Sequence, residues 1–242
     1  LEQATNVLRN TLWSVSPRAG DILVAQDSAL EIRLATGTAV SCEGVPGTVL
    51  IPAPTVVGNT LSAFMRRPER GDRVSALFSD SLGATWLHLG VMSAPEPAGV
   101  CSMFPAAPGA WAVATVEPLA LPAGTPLRFT RPLRLSLYRS TDNRWYLGAR
   151  DWNGEREQFN AIQPVAGPLG EHTADTESGL RFAYHDRDGA VLLEPVDGTR
   201  VSSVTVVARA STHRPVRMRG LRRADGIYRD SGVAVIRLRN VR

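Results

Sequence analysis

Four histidines, two cysteines and a few closely spaced carboxylates are the residues of this 242-residue chain that could bind a metal or move a proton. His88, His172, His185 and His213 are scattered, and none stands at ligand spacing from another histidine, a cysteine or a paired carboxylate. A zinc site needs three or four such groups converging. Asp186-Arg187-Asp188-Gly189 shares part of a calcium-loop pattern, but the position two before Asp186 is Tyr184 and the position six after Gly189 is Pro195, where the loop needs oxygen ligands. Asp-Gly between two apolar runs is instead a hairpin turn. Asp175 and Glu177 are neighbouring acids in a polar stretch, which keeps a loop solvated. No phosphate-cradling glycine loop and no nucleophile elbow occur, and no serine or cysteine stands beside a histidine in a recognisable context. No catalytic, cofactor-binding or metal residue is therefore assigned. Cys42 and Cys101 are free thiols if the protein resides in a reducing compartment, and their even number suits a single disulfide if it is exported.

Charge supplies a second kind of candidate. All 27 basic residues are arginine, which reads as codon usage rather than as a binding device. From Arg209 to the end, ten arginines face Asp225 and Asp230, a local balance of +8 within a net +4. Arg237 and Arg239 alternate with Ile236 and Leu238, as on the wet face of a strand. Arg214, Arg217, Arg219, Arg222 and Arg223 form a loop-like cluster that suits an anionic partner or a solvated surface. No aromatic residue interleaves with them to stack bases, so nucleic acid is disfavoured. Trp86, Trp145, Tyr146 and Trp152 are the stacking residues of the rival reading, an extracellular β-sandwich binding module such as an adhesin or a carbohydrate- or DNA-binding head. Core packing is the commoner fate of such rings.

These residues must be positioned by short strands. With 43% hydrophobic residues, 17 prolines and 21 glycines, the composition suits many strands joined by turns. Residues 1–15 are the one clear helix: Leu1, Ala4, Leu8, Leu12 and Val15 share a stripe, with Glu2, Asn6, Arg9 and Asn10 opposite. Period-two alternation predicts strands over 180–184, 201–209 and 233–240, around the Asp186–Gly189 turn. Earlier runs at 21–25, 30–34, 38–42, 48–51, 74–79, 85–91, 111–116, 125–129 and 133–138 read the same way. The stretch 61–65 fits either a helix or a strand. Residues 164–178 form a polar seam between two strand-rich blocks, 16–163 and 179–242. No run of eighteen apolar residues exists, and the chain begins with Leu, so processing or truncation upstream is expected.

One ordered set of segments resembles a known family. The starting amphipathic helix is followed by 133–138, then Arg144-Trp145-Tyr146-Leu147-Gly148, then Gln163-Pro164-Val165-Ala166-Gly167-Pro168-Leu169. Next come Gly179-Leu180-Arg181-Phe182-Ala183-Tyr184 with the Asp186–Gly189 turn, the strand at 201–210, and Val235-Ile236-Arg237-Leu238-Arg239-Asn240. This order is similar to the larger minor pilins and pseudopilins, in particular the W-type pilin of type IV pili and the J-type pseudopilin of type II secretion.

The resemblance implies a non-enzymatic subunit without cofactors that initiates or caps a filament, with 1–15 as the polar half of a helix whose membrane-embedded half lies upstream. It implies an α+β head, mostly β, in which the helix packs on antiparallel, duplicated or extended sheets of pilin type over 16–242. Leu1, Ala4, Leu8 and Leu12 would be shared between the sheet and neighbouring helices as an assembly interface. The partners implied are other minor subunits, the major pilin and inner-membrane assembly machinery. The location implied is the inner membrane with a periplasmic head, or a cell-surface filament. In that setting Cys42 and Cys101 are expected to be bridged, closing a loop of about 60 residues and contributing roughly 4 kcal/mol.

Overall fold

The structure, a computed structural model, describes residues 1–42, 44–54, 61–80, 83–104, 109–174, 177–212 and 227–239. One α-helix, α1 (Glu2–Leu12), precedes the strands β1 (Ile22–Ala25), β2 (Ala29–Val40), β3 (Thr48–Pro52), β4 (Ser62–Phe64), β5 (Arg73–Asp80) and β6 (Gly83–Gly90). They continue with β7 (Glu96–Ala98), β8 (Ala110–Ala114), β9 (Pro126–Arg139), β10 (Trp145–Asn153) and β11 (Gln158–Phe159). The last five are β12 (Gln163–Leu169), β13 (Leu180–His185), β14 (Val191–Leu192), β15 (Ser203–Ser211) and β16 (Arg229–Arg237).

The chain divides into two units that are discontinuous in sequence: Leu1–Arg33, Leu133–Arg150 and Ala161–Arg242 form the first, Leu34–Pro132 and Asp151–Asn160 the second. The blocks 16–163 and 179–242 cut the chain differently, because β2, β9 and β10 each pass from one unit into the other.

The expected class, α+β with pilin-type sheets, is corrected by the structure. Strands take 51% of the described residues and helical segments 8%, with one α-helix among them, so the protein is mostly β. The reason is quantitative. An 11-residue helix brings three fully buried side chains, Ala4, Leu8 and Leu12, whereas strands supply nearly all the rest of both cores.

In the first unit, β14, β13, β15 and β16 form an antiparallel sheet in that order. Leu180, Phe182 and Tyr184 of β13 and Val204, Val206 and Ala208 of β15 alternate inward, as period-two patterning requires. α1 lies against β12, β15 and β16, and its stripe joins the same core as Leu30, Ile32, Leu135 and Leu147. Each fully buried leucine contributes about 1.5–3 kcal/mol relative to exposure. The turn after β13 closes on Asp186, whose Oδ1 accepts the N–H groups of Asp188 (3.0 Å) and Ala190 (2.9 Å), while Gly189 takes φ 82°. The first part of the seam expected at 164–178, as far as Leu169, is ladder rather than loop, since β12 pairs with β10 through Leu147↔Ala166. Just beyond β12, Gly170 and Gly179 pass so closely that a Cβ on Gly179 would overlap the Gly170 backbone. Arg209 completes this crossing by donating its N–H to Gly179 and accepting that of Gly170, both at 2.8 Å.

In the second unit, β5 pairs with β6 over eight residues and with β9 through Arg73↔Thr130 to Ala76↔Leu127. The ambiguous stretch at 61–65 contains a strand, β4, paired to β2 through Gly37↔Phe64. Phe64 then packs edge-on against Phe129, their ring centres 5.0 Å apart. A separate sheet, β3-β8-β7, carries Val49, Ile51 and Val113 into the same core as Val74, Leu89 and Phe129. Cys42 and Cys101 are joined in a disulfide, with Cα atoms 5.4 Å apart, and are buried beside Ala110.

Two stability measurements follow from this packing. Leu8→Ala, at a site with no exposed surface, should lower the unfolding free energy by about 2–5 kcal/mol, whereas Arg9→Ala on the exposed side should change it by less than about 0.5 kcal/mol, both read by denaturant titration. Replacing Cys42 and Cys101 together by serine should cost roughly 2–5 kcal/mol, and non-reduced wild-type protein should show no thiol to an alkylating reagent under mass spectrometry.

Candidate functional site

The three histidines in described positions are each held by a hydroxyl group. His88 Nδ1 lies 2.9 Å from Ser75 Oγ across the β5–β6 ladder, and His185 Nε2 lies 2.9 Å from Thr205 Oγ1 across β13–β15. His172 Nδ1 is 3.4 Å from Ser178 Oγ, with its ring 6.5 Å from that of Trp145. Ser75 and His88 are thirteen residues apart and met only through the hairpin register, so no local sequence signal marked them. Ser75 has no exposed surface, which keeps its hydroxyl away from any substrate. Among the described residues no group of three or more His, Cys, Asp or Glu side chains could hold a metal ion. His213, Asp175 and the cluster Arg214, Arg217, Arg219, Arg222 and Arg223 lie outside the described residues.

The second unit contains one deeply buried charge cluster. Arg131 of β9 donates from Nε to Asp72 Oδ1 and from Nη2 to Asp72 Oδ2, both at 2.8 Å. It also donates to the Arg67 carbonyl at 2.9 Å, and its Nη1 pairs with Glu69 at 2.9 Å. Asp72 is fully buried and Arg131 nearly so. Burial works against the Arg131 charge, but the hydrogen bonds and charge of Asp72, followed by the charges of Glu69 and Asp151, outweigh it and raise the guanidinium pKa. The planar fork is spent on two carboxylates and a carbonyl, which ties the chain before β5 to β9. Nearby, Asp151 accepts from Asn160 Nδ2 at 3.0 Å and from Arg66 at 2.9 Å, and these donors hold its carboxyl below the usual range despite partial burial.

The four aromatic residues of the binding-module reading are divided between the two units. Trp145 and Tyr146 belong to the first unit, Trp86 and Trp152 to the second. Trp152 packs edge-on to Phe159, ring centres 5.4 Å apart, and donates Nε1–H to the Arg70 carbonyl at 3.2 Å. Tyr146 donates its hydroxyl to Asp142 at 2.8 Å, a bond that lowers the Asp142 pKa and raises that of the phenol. Trp145 lines an open cleft of about 740 Å³ in the first unit together with Arg139, Glu171, Arg209, Arg229 and Asp230. These charges come from four separate stretches, the end of β9, the chain just after β12, β15 and β16, so spacing along the chain conceals them. Both signs are represented, and Arg209 is already engaged by Glu177 at 3.9 Å and by the Ser178 carbonyl at 3.1 Å.

The helix stripe sits inside the first unit. Ala4, Leu8 and Leu12 are consumed by that core, and only Leu1 is half-exposed. What α1 offers outward is Glu2, Asn6, Arg9, Asn10 and Trp13, with the Arg239 guanidinium 3.3 Å from the centre of the Trp13 ring. No helix among the described residues is long and apolar enough to cross a membrane.

Arg131→Met should cost about 3–5 kcal/mol in a denaturant titration, because it strands the buried Asp72 carboxylate, and adding Asp72→Leu should recover a large part of that loss.

No protein-family model, no curated protein and no solved structure matches this chain.

Proposed function

We propose that this chain is the head of a non-enzymatic subunit that initiates or caps a type IV pilus or a type II secretion pseudopilus. One observation carries the proposal: the segments that resemble minor pilins and pseudopilins gather in one unit. β12, β13, the Asp186–Gly189 turn, β15 and β16 all belong to the first unit, with α1 laid against β12, β15 and β16. The 133–138 half of β9 and the 144–148 hairpin strand belong there too. The second unit is built from the chain between these segments and carries none of them. Because Ala4, Leu8 and Leu12 are buried internally, contacts with neighbouring subunits in this reading use the polar side of α1 and the outer surface of the head. The partners are other minor subunits, the major pilin and inner-membrane assembly machinery. The head is periplasmic or displayed on a surface filament, anchored by an apolar helical segment encoded ahead of Leu1.

The test is genetic. The coding sequence upstream of Leu1 should specify about 20 apolar residues behind a short basic leader, and deleting the whole gene should reduce filament number or export of secreted proteins. A gene product without such a segment, or a deletion strain with undiminished filaments and export, overturns the assignment.

A further inference from the structure

The two edges of the β14-β13-β15-β16 sheet are built differently. β14 is two residues long and is followed, after Leu193, by Glu194 and Pro195, which blunts that edge. β16 runs nine residues with no proline, and its ladder to β15 holds one register from Ser203↔Arg237 to Ser211↔Arg229. The parity of that ladder follows from the bonds at its two ends. Thr212 donates its N–H to the Tyr228 carbonyl at 2.9 Å, and Leu238 donates to the Ser202 carbonyl at 3.0 Å. Even-numbered residues of β16 therefore bond inward to β15, and odd-numbered ones aim their N–H and C=O groups away from the sheet. The Ser231 N–H is met by its neighbour Asp230 at 2.9 Å. The backbone groups of Val233, Val235 and Arg237 have no partner among the described residues.

The same odd-numbered residues place their side chains on the outer face of the sheet. Val233 and Val235 are 67% and 61% exposed there, opposite Val207 and Thr205 of β15. Arg237 follows them, exposed, at the end of β16. Three spaced pairs of backbone donors and acceptors, two exposed valines and a cationic end at Arg237 match one kind of occupant.

We propose that β16 is a docking edge for an extended segment of a partner protein, apolar at its centre and acidic at the end that meets Arg237, which adds to this sheet as a fifth strand. Backbone bonds to Val233, Val235 and Arg237 hold the segment, its alternate side chains pack beside the two valines, and its carboxylates meet the Arg237 guanidinium. A second copy of this chain fits less well: antiparallel pairing about Val233 sets Arg229 of each copy directly opposite Arg237 of the other. The proposal goes beyond the filament reading and does not depend on it.

The probe is an end-blocked synthetic peptide with alternating threonine and valine at its centre and two glutamates at each end, compared with the same peptide ended by arginines. By fluorescence anisotropy the whole chain should bind the acidic peptide at least about tenfold more tightly than the basic one, and added salt should weaken it. Hydrogen exchange should show the Val233, Val235 and Arg237 amides unprotected in the free protein and protected by the acidic peptide, with Ala234 and Ile236 protected in both. Val235→Pro removes an outward N–H and no ladder bond, so it should leave the melting temperature within a few degrees and weaken binding about tenfold or more. Arg237→Glu should shrink the preference for the acidic peptide, an outcome readable even if the proline variant unfolds. Absence of binding, equal binding of the two peptides, an unchanged affinity in both variants, or protection of these three amides by self-association instead would overturn the proposal.

Discussion

Two strands, β2 and β9, must satisfy two hydrophobic cores at once, β10 runs on from the first core into the second unit, and the fold hangs on that constraint. β2 gives Leu30 and Ile32 to the first core and Ala39 to the second. β9 gives Leu127 and Phe129 to the second core and Leu135 to the first, with the buried Arg131 between them. β10 supplies Leu147 to the first core, and its far end holds Trp152 against Phe159. Because side chains alternate at a period of two, a slip of one residue in any of these strands would misplace apolar groups at both ends at once. Length thus converts into specificity.

Arg131 shows how a charge can be tolerated at such a position. It sits in a strand whose neighbours on both sides are core residues, and burying it alone would be prohibitive. Asp72 and Glu69 precede β5, and Asp72 meets the guanidinium with two parallel bonds. The pairing is directional, so it selects one placement of the chain before β5 relative to β9 in a way that a leucine would not. The disulfide does comparable work in the same unit, fixing the proline-rich chain around Cys101 next to the end of β2.

In the first unit the helix and the sheet have a simpler relation. α1 covers part of a sheet whose inner residues are Val204, Val206, Ala208 and Ile236, and it gives up its whole apolar stripe to do so. A helix engaged in this way has polar side chains and Trp13 left for other contacts. The sheet carries its own exposed apolar row on the opposite face, at Val233 and Val235. Any association of this unit with another protein therefore has more to gain from the β16 side than from the apolar stripe of α1.

Local chemistry alone accounts for several elements. Apolar residues at 4, 8 and 12 define α1, alternation defines β13 and β15, and Asp186 with Gly189 defines the turn between β13 and β14, because each depends on neighbours within a few residues. The close passage of Gly170 and Gly179, the union of 30–34 with 38–40 into β2, the union of 126–129 with 133–139 across Pro132 into β9, and the strand at 62–64 depend on partners dozens of residues away. So do the Trp145 cleft, the Ser75–His88 pair and the open parity of β16. Which rows of a ladder face a partner strand and which face outward is a property of pairing, and pairing exists only once distant segments have met.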